Sequence, residues 1–257
     1  MAEEAARALE GGEWTAGLRV EPAKPAEDAP LLDGARIKVS FRSLSAFAER
    51  LARAAAKGAP RNSAAGSLKH SIPGSGELAD LVARYIGGQS VAGGAIASLV
   101  ALIAVPILAG CSKHLGVGER RAWSRGYCFL CGAWASLAES RGIDRSRHLR
   151  CARCGSDWVA PPLRCIYCGE PDHRKLGFLE LEGELETRKV ETCTTCRGYL
   201  KSLATLTPLS MVELLIWDLE NVELDLAALE RGYKRPGVVG YSFSVALVDG
   251  SQADGAF

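Results

Sequence analysis

Eight of the nine cysteines form four Cys-x-x-Cys pairs within one stretch of the chain. Two thiolates separated by two residues can bind one metal ion from a tight turn. Glycine follows three of the pairs at once, and it follows the fourth one residue later, at Gly198. Such a glycine permits the positive φ that the turn commonly requires. The pattern indicates metal-binding knuckles. The pairs are Cys128/Cys131, Cys151/Cys154, Cys165/Cys168 and Cys193/Cys196.

The spacing between the pairs indicates how they combine. Residues 132–150, nineteen positions, separate the first pair from the second, as in a Cys₄ ribbon. Residues 169–192, twenty-four positions, separate the third pair from the fourth and leave room for a hairpin. Interleaved pairing would close larger loops and cost more entropy, so it is the weaker alternative. We therefore predict two sites in sequence, one formed by Cys128, Cys131, Cys151 and Cys154, the other by Cys165, Cys168, Cys193 and Cys196.

Four thiolates occupy all coordination positions of a tetrahedral metal ion, which predicts structural or electron-carrying sites rather than hydrolytic ones. Zinc and iron both suit such ligands, and spacing alone favours zinc. A disulfide framework rarely repeats one Cys-x-x-Cys unit four times, and thioredoxin-like chemistry needs only one. The chain opens with a charged Ala/Glu-rich stretch instead of the apolar core of a signal peptide. We expect reduced thiols and a cytoplasmic protein.

The remaining patterns predict an α+β protein with an N-terminal α-helical domain, two small metal modules and a C-terminal helix. The apolar stripe of residues 41–56 predicts a helix, and residues 77–86 predict another. The net charge of +1 indicates no particular partner. The predicted divisions are an extended or disordered arm (1–36), a helical domain (37–120), two Cys₄ modules (121–160 and 161–207), a C-terminal helix (208–235) and a tail (236–257).

An apolar stretch at residues 94–108 raises the question of a membrane span. The uncharged stretch around it is long enough to span a membrane, but glycines and Pro106 interrupt that stretch. Its dense apolar part has the length of a buried helix. We expect a central helix of the helical domain and no membrane insertion. Cys111, which follows outside any pair, is expected to be a small buried residue.

Further local patterns surround the knuckles. Alternating apolar and acidic residues at 178–186 predict strands of a hairpin that leads to the last knuckle. Ser210 and Glu213 form a capping box, which predicts one long helix over about residues 211–231. His70 and His148 are expected to be solvated side chains.

The knuckle region is basic, with eleven Arg or Lys and five Asp or Glu residues between Arg120 and Lys175. Basic knuckle proteins often bind nucleic acid, so a zinc-ribbon nucleic-acid-binding protein is the alternative function. Its aromatic residues would stack on bases, or they would pack around the metals as a core. An enzyme with redox cysteines is a further alternative, but we find no convincing catalytic base, nucleophile or nucleotide loop, and expect no enzyme.

Several segments resemble the FdhE family of formate dehydrogenase accessory proteins. Residues 147–158 (RHLRCARCGSDW) and 163–168 (LRCIYC) are similar to its second and third knuckles, and 191–201 (ETCTTCRGYLK) to its fourth. Asp218-Leu219, Leu224-Asp225 and Gly232-Tyr233 are similar to its closing helix. The resemblance covers about residues 120–235 in detail. It departs at 128–132 (CFLCG), where the family commonly has proline after the first cysteine, and in the last 20 residues.

The resemblance implies a cytoplasmic accessory factor needed for active formate dehydrogenase. It implies a helical domain followed by two rubredoxin-like modules, with all eight paired cysteines as ligands and iron as the metal. It also implies a partner, the catalytic subunit of formate dehydrogenase, in an immature state. No nucleic-acid partner is expected on this resemblance.

Overall fold

A computed structural model describes residues 17–57, 60, 63, 68–91, 93–116, 123–180 and 187–250. In these residues the α-helices are α1 (Phe41–Lys57), α2 (Ser75–Ile86), α3 (Ala95–His114), α4 (Met211–Glu220) and α5 (Val222–Glu230). The strands are β1 (Arg19–Glu21), β2 (Arg36–Val39), β3 (Leu137–Arg141), β4 (Ser146–Arg150), β5 (Asp157–Val159), β6 (Leu176–Leu179), β7 (Arg188–Cys193), β8 (Tyr199–Thr205) and β9 (Ala246–Asp249). Helix and sheet are therefore mixed, as the α+β prediction requires.

The chain divides into two units, one formed by Met1–Val117 with Ser242–Phe257 and the other by Gly118–Tyr241. The first unit contains α1, α2 and α3 and a three-stranded sheet in the order β1-β2-β9. Strand β1 pairs antiparallel to β2, whereas β9 pairs parallel to it, with Ile37 opposite Leu247. The helical domain predicted from the sequence thus also carries a small sheet, to which both ends of the described chain contribute.

Helices α1 and α2 occur where the apolar period predicted them. Leu44, Phe47 and Leu51 of α1 have no exposed surface, because their spacing places them on one side of the helix. Between α1 and α2, residues 58 and 59, 61 and 62, and 64–67 lie outside the described residues. His70 is exposed, as expected.

Helix α3 is the apolar helix that the sequence predicted, and it extends to His114 with Pro106 in its interior. Within the described part of the chain, it alone is long and apolar enough to cross a membrane. Half of its most apolar stretch is buried inside the protein, and a core helix satisfies the same criteria. This finding does not indicate insertion. Cys111 is fully buried, as predicted.

The second unit is organised by a six-stranded sheet in the order β5-β4-β3-β8-β7-β6. Strands β3, β4 and β5 form one antiparallel half and β6, β7 and β8 the other. The halves join where β3 pairs parallel to β8, with Leu137 opposite Lys201. The two predicted metal modules therefore share one continuous sheet. Of the predicted hairpin, residues 181–186 lie outside the described residues, and β6 and β7 flank them.

The single long C-terminal helix predicted from the sequence is wrong. Its start is right, because Ser210 and Glu213 form both hydrogen bonds of a capping box. The helix stops at Glu220, however, and α5 begins at Val222. Between them Asn221 has a φ of −114° and a ψ of 39°, and its side-chain amide donates to the carbonyl of Trp217 at 2.7 Å. An asparagine that bonds to the local backbone competes with the regular helical pattern.

Residues 1–16 of the predicted N-terminal arm lie outside the described residues. In its remainder, β1 pairs with β2, and Ala29, Leu32 and Ala35 are buried in the first unit. At the other end, β9 lies within the predicted tail. Both segments are ordered by pairing with β2, so their packing depends on elements distant in sequence.

Candidate metal centres

The four knuckles repeat one pattern of backbone hydrogen bonds. In each, the N–H of the first cysteine donates to the carbonyl five residues later, at 2.7 Å for Cys128 and 3.0 Å for Cys151, Cys165 and Cys193. In the first three, the N–H of the following glycine also donates to the carbonyl of the first cysteine, at 2.9 to 3.0 Å. These bonds close each turn and direct its two sulfur atoms to the same side.

The backbone bends back after the second cysteine with a positive φ. Gly132, Gly155 and Gly169 have φ values of 67°, 76° and 75°, as the sequence predicted. In the fourth knuckle Arg197 takes this conformation, with a φ of 58°. Glycine is required one residue later, because a Cβ atom on Gly198 would lie 2.5 Å from the ring of Tyr167.

Contacts of its side chain hold Arg197 in this strained conformation. Its guanidinium donates to the carbonyl of Arg231 and, at 3.4 Å, to that of Gly232, and it lies 4.2 Å from the ring centre of Tyr233. A non-glycine residue in this region costs about 1–2 kcal/mol, which these contacts offset.

The first site brings together Cys128, Cys131, Cys151 and Cys154. The Sγ atoms of Cys128 and Cys154 lie 3.5 Å apart, and Sγ of Cys131 lies 3.6 Å from Cys151 and 3.7 Å from Cys154. A tetrahedral ion with metal–sulfur bonds of ~2.3 Å requires sulfur–sulfur distances of about 3.8 Å. A disulfide would require about 2 Å, and all four cysteines are free thiols. The donor set therefore fits one zinc or iron ion.

The second site brings together Cys165, Cys168, Cys193 and Cys196. Sγ of Cys165 lies 3.6 Å from Cys196, and Sγ of Cys168 lies 3.8 Å from Cys193. These distances fit the same tetrahedron. Each group thus combines two knuckles that follow one another in the chain, the arrangement that the spacing favoured over interleaved pairing.

The acidity of the thiols reflects their burial and their closeness. Burial raises the pKa of Cys128 and Cys154 well above the ordinary value, while hydrogen bonds from the neighbouring thiols hold the pKa of Cys131 well below it. In the second site burial raises the pKa of Cys165, and that of Cys196 to about 11. Burial also raises the pKa of Cys193, but bonds from the backbone N–H groups of Cys196 and Thr195 outweigh it and lower the net value. A bound divalent cation would favour the thiolate throughout.

A buried ionic network lies on the strands that carry the first site. The carboxylate of Glu139, which has no exposed surface, accepts from Arg150 and, at 2.6 Å, from Arg141. His148 was predicted to be solvated, and this is wrong. It is buried on β4, with Nδ1 3.0 Å from Asp157 Oδ1. The Ser-Arg-His-Leu-Arg sequence of β4 gives no apolar signal, because Arg147, His148 and Arg150 are buried with acidic partners on β7, β5 and β3.

Side-chain contacts also join the halves of the sheet beyond the β3–β8 pairing. Arg147 on β4 donates to Glu191 on β7 through two nitrogens, at 3.2 and 2.5 Å. Trp134 follows the first knuckle and Tyr167 lies between the two cysteines of the third, and their rings meet edge to face with centres 5.1 Å apart. The two candidate metal sites therefore belong to one framework.

The aromatic residues proposed to stack on bases do not support the nucleic-acid alternative. Trp158 and Phe129 are buried, and their rings pack edge to face at 6.2 Å. The Nε1 atom of Trp158 donates to the carbonyl of Arg125 at 3.1 Å. These rings form the core around the first site.

Sequence reasoning missed the polar residues that hold the sheet and helices around the sites. Glu139 and Lys201 are the main ones, and each is fully buried and charged. Lys201 on β8 donates to Asp225 at 2.8 Å and lies 2.7 Å from Asp218 Oδ1. A charged residue in a strand ordinarily indicates a solvated face, so no local signal marks these positions.

Comparison with known proteins agrees with the geometry. The sequence model described as "FdhE, C-terminal domain" matches residues 163–240. A protein named "Protein FdhE homolog" from Aquifex aeolicus is 31% identical over 121 residues, which are 45% of this chain and 41% of that protein. A second FdhE homolog, from Stutzerimonas stutzeri, is 37% identical over 112 residues, which are 42% and 35% of the two chains. The matches thus span about two fifths of these relatives.

A solved structure resembles the fold over a greater length. The crystal structure of the FdhE protein from Pseudomonas aeruginosa has a TM-score of 0.55 and 21% sequence identity, and the likeness covers 91% of this chain and 77% of that one. At this identity the likeness shows the fold alone. It is the fold of a mixed helix-and-sheet protein with zinc-ribbon-like Cys₄ modules.

The class defined by fold and site is therefore a protein with two four-cysteine metal-binding groups on one sheet. The matching domain and the relatives described above are all FdhE proteins, so over these stretches the chain is similar to the FdhE family.

Proposed function

We propose that this protein is an accessory factor for formate dehydrogenase, and that it binds the immature catalytic subunit through a metal-stabilised scaffold. The observation that supports this most is the pair of complete Cys₄ groups built into one sheet, in a chain that is similar to FdhE proteins over residues 163–240. Four protein ligands per ion leave no position for substrate, which supports a binding role and not catalysis. Nine free cysteines support a reducing compartment, and we propose the cytoplasm.

We further propose that the eight thiolates hold two metal ions, and that these ions are iron, as the family resemblance implies. Both groups fit a tetrahedral ion, and S₄ ligands suit iron and zinc alike. When bound, each ion would cross-link two knuckles, so its binding free energy would contribute to folding. The protein residues do the remainder: they fix the turns, bury the sulfurs and hold the sheet to which the helices attach.

The metal proposal is tested on protein purified without oxygen. We expect two ions per chain and, for iron, a rubredoxin-type visible spectrum that bleaches on reduction. A colourless protein with two zinc ions would overturn the choice of iron and leave the scaffold intact. A protein that stays folded and metal-free in chelator would overturn the scaffold itself.

The partner proposal is tested by co-purification with the catalytic subunit of formate dehydrogenase, expressed together with this chain. We expect the wild-type chain to retain the subunit and to raise formate oxidation in cells that lack their own accessory factor. As a control, Ile143→Ser changes a fully exposed turn residue and should behave as the wild-type chain does. If neither co-purification nor activity depends on the chain, the proposed function is excluded.

A further inference from the structure

One surface of the second unit is both apolar and acidic, and the metal sites do not use it. Helices α4 and α5 expose five large apolar side chains, of which Leu219 is 71% exposed. Side chains three or four residues apart share a helix face, so they form a continuous stripe. We call this surface the acidic–apolar face. Its apolar members are Ile216, Leu219, Val222, Leu226 and Leu229, and its acidic members are Glu213, Glu220, Glu223 and Glu230.

The opposite side of the same helices is already satisfied. Leu214, Leu224 and Ala228 are buried, the latter two in a cluster with Val190 and Tyr199 of the sheet. Asp225 accepts from Lys201 at 2.8 Å and from Arg235 at 3.0 Å. The inward acidic groups are therefore paired with inward cations, and these contacts fix the orientation of both helices.

The acidic groups on the outward side of the two helices have different surroundings from those that face the sheet. Residues 211–230 contain six acidic residues and no Lys, Arg or His, and the two that face the sheet are Asp218 and Asp225. The other four lie three or four positions from members of the apolar stripe. Glu223 lies 3.8 Å from Arg188, and Glu213 accepts from the backbone N–H of Ser210 at 2.7 Å. The stripe is thus flanked by negative charge along its length.

We propose that the acidic–apolar face is a docking surface for a basic amphipathic segment of a partner protein. Such a segment would place apolar residues on the leucine stripe and Lys or Arg beside the four glutamates. Apolar burial would supply the affinity, and charge complementarity would set orientation and association rate. A second copy of this chain fits poorly, because a two-fold contact through this face would bring the glutamates of one copy against the same glutamates of the other.

The test uses the full metal-loaded chain and a designed helical peptide of about twenty residues. The peptide carries leucines at helical spacing and lysines on the flanking positions. We expect saturable binding by fluorescence anisotropy that weakens as salt is raised. Two matched peptides, one with glutamate for lysine and one with the leucines scrambled, are expected not to bind.

Variants of the face separate its two components. Leu219→Ser with Leu226→Ser is expected to weaken peptide binding at least about tenfold at all salt concentrations. Glu220→Gln with Glu230→Gln is expected to weaken it about fivefold in low salt and little in high salt. The control combines Ile143→Ser with Glu180→Gln, exposed residues that lie outside α4 and α5. Circular dichroism checks that each variant keeps its helices.

Three outcomes would overturn the docking proposal. One is equal binding of the acidic peptide, and another is binding that the leucine variants do not change. The third is a wild-type dimer in sedimentation that the leucine variants abolish, since the face would then be a self-association surface. The peptide assay needs no formate dehydrogenase, so the docking proposal and the proposed function can fail separately.

Discussion

The two Cys₄ sites share one knuckle geometry but differ in their surroundings. In the first, all four cysteines are buried, with Cys154 the most accessible at 2%. In the second, Cys168 is exposed and Cys196 is partly exposed. The first lies among Trp158, Phe129 and a buried ionic network. The second is bordered by surface contacts such as Glu170 Oε2 to Thr195 Oγ1 at 2.7 Å.

The comparison teaches that identical ligands can serve different structural roles. Replacing a ligand of the first site would leave buried thiols without a cation in a site that cannot take up water. The second site has an open side at Cys168, through which a bound ion could exchange. We therefore expect the first site to contribute most to folding and the second to be the accessible one.

The strongest way to break this comparison is to remove one ligand from each site. Cys131→Ser is expected to unfold the second unit, because it removes a ligand from a fully buried group. Cys168→Ser should lose one ion but retain the other and the β3-β4-β5 half of the sheet. Metal content and amide hydrogen exchange measure both effects. Equal loss of structure in the two variants would contradict the assigned roles.

The ionic network gives the next largest effect. Glu139→Gln is expected to destabilise the metal-loaded protein by about 3 kcal/mol, since the buried Arg150 and the partly buried Arg141 would lose the carboxylate that accepts from both. Urea unfolding followed by tryptophan fluorescence measures it. Glu180→Gln, at an exposed position, is the control and should change stability by less than about 0.5 kcal/mol. A loss no greater than that of the control would show that the network contributes nothing.

Chelator should distinguish the sites by rate. With a chromophoric chelator in excess, we expect two phases, and the ion of the second site should leave at least about tenfold faster, by roughly 1.4 kcal/mol in barrier. The exposed Cys168 gives the chelator a point of entry that the first site lacks. Cys168→Ser should remove the fast phase only. A single phase that contains both ions would be inconsistent with unequal access.

The smallest expected difference concerns the positive φ of the knuckles. Gly155→Ala should cost about 1 kcal/mol, because alanine at a φ of 76° is strained and its Cβ would approach Met211 Sδ at 3.3 Å. Arg197→Gly should change stability by less than about 0.5 kcal/mol, since relief of strain and loss of the guanidinium contacts offset each other. Thermal unfolding of the metal-loaded variants compares the two. A larger cost at Arg197 would mean that its contacts outweigh its strain.

The sequence predicts what is local in this protein. Knuckles are closed by bonds within six residues, so the cysteine spacing and the glycines at 132, 155 and 169 carried enough information. Helices α1, α2 and α3 followed from the period and length of apolar stretches, and the capping box marked the start of α4. In these cases the residues that determine the structure are neighbours in the chain.

What the sequence did not predict depends on distant partners. The burial of His148 requires Asp157 and Arg141, and the burial of Lys201 requires Asp218 and Asp225. The pairing of β2 with β9 joins strands about 200 residues apart, and no turn signal can encode it. The exposure of the leucines on α4 and α5 also has no signal in the sequence, because an apolar stripe ordinarily predicts a buried face.

The parallel seam between β3 and β8 has a consequence for synthesis on the ribosome. Strand β3 ends at Arg141, and its neighbour begins only at Tyr199, so the growing chain must present an open edge until the later strand emerges. At ordinary elongation rates this interval lasts several seconds, long enough for unpaired edges to recruit one another. Early capture of metal by the first four cysteines would restrain the nascent half-sheet during that delay.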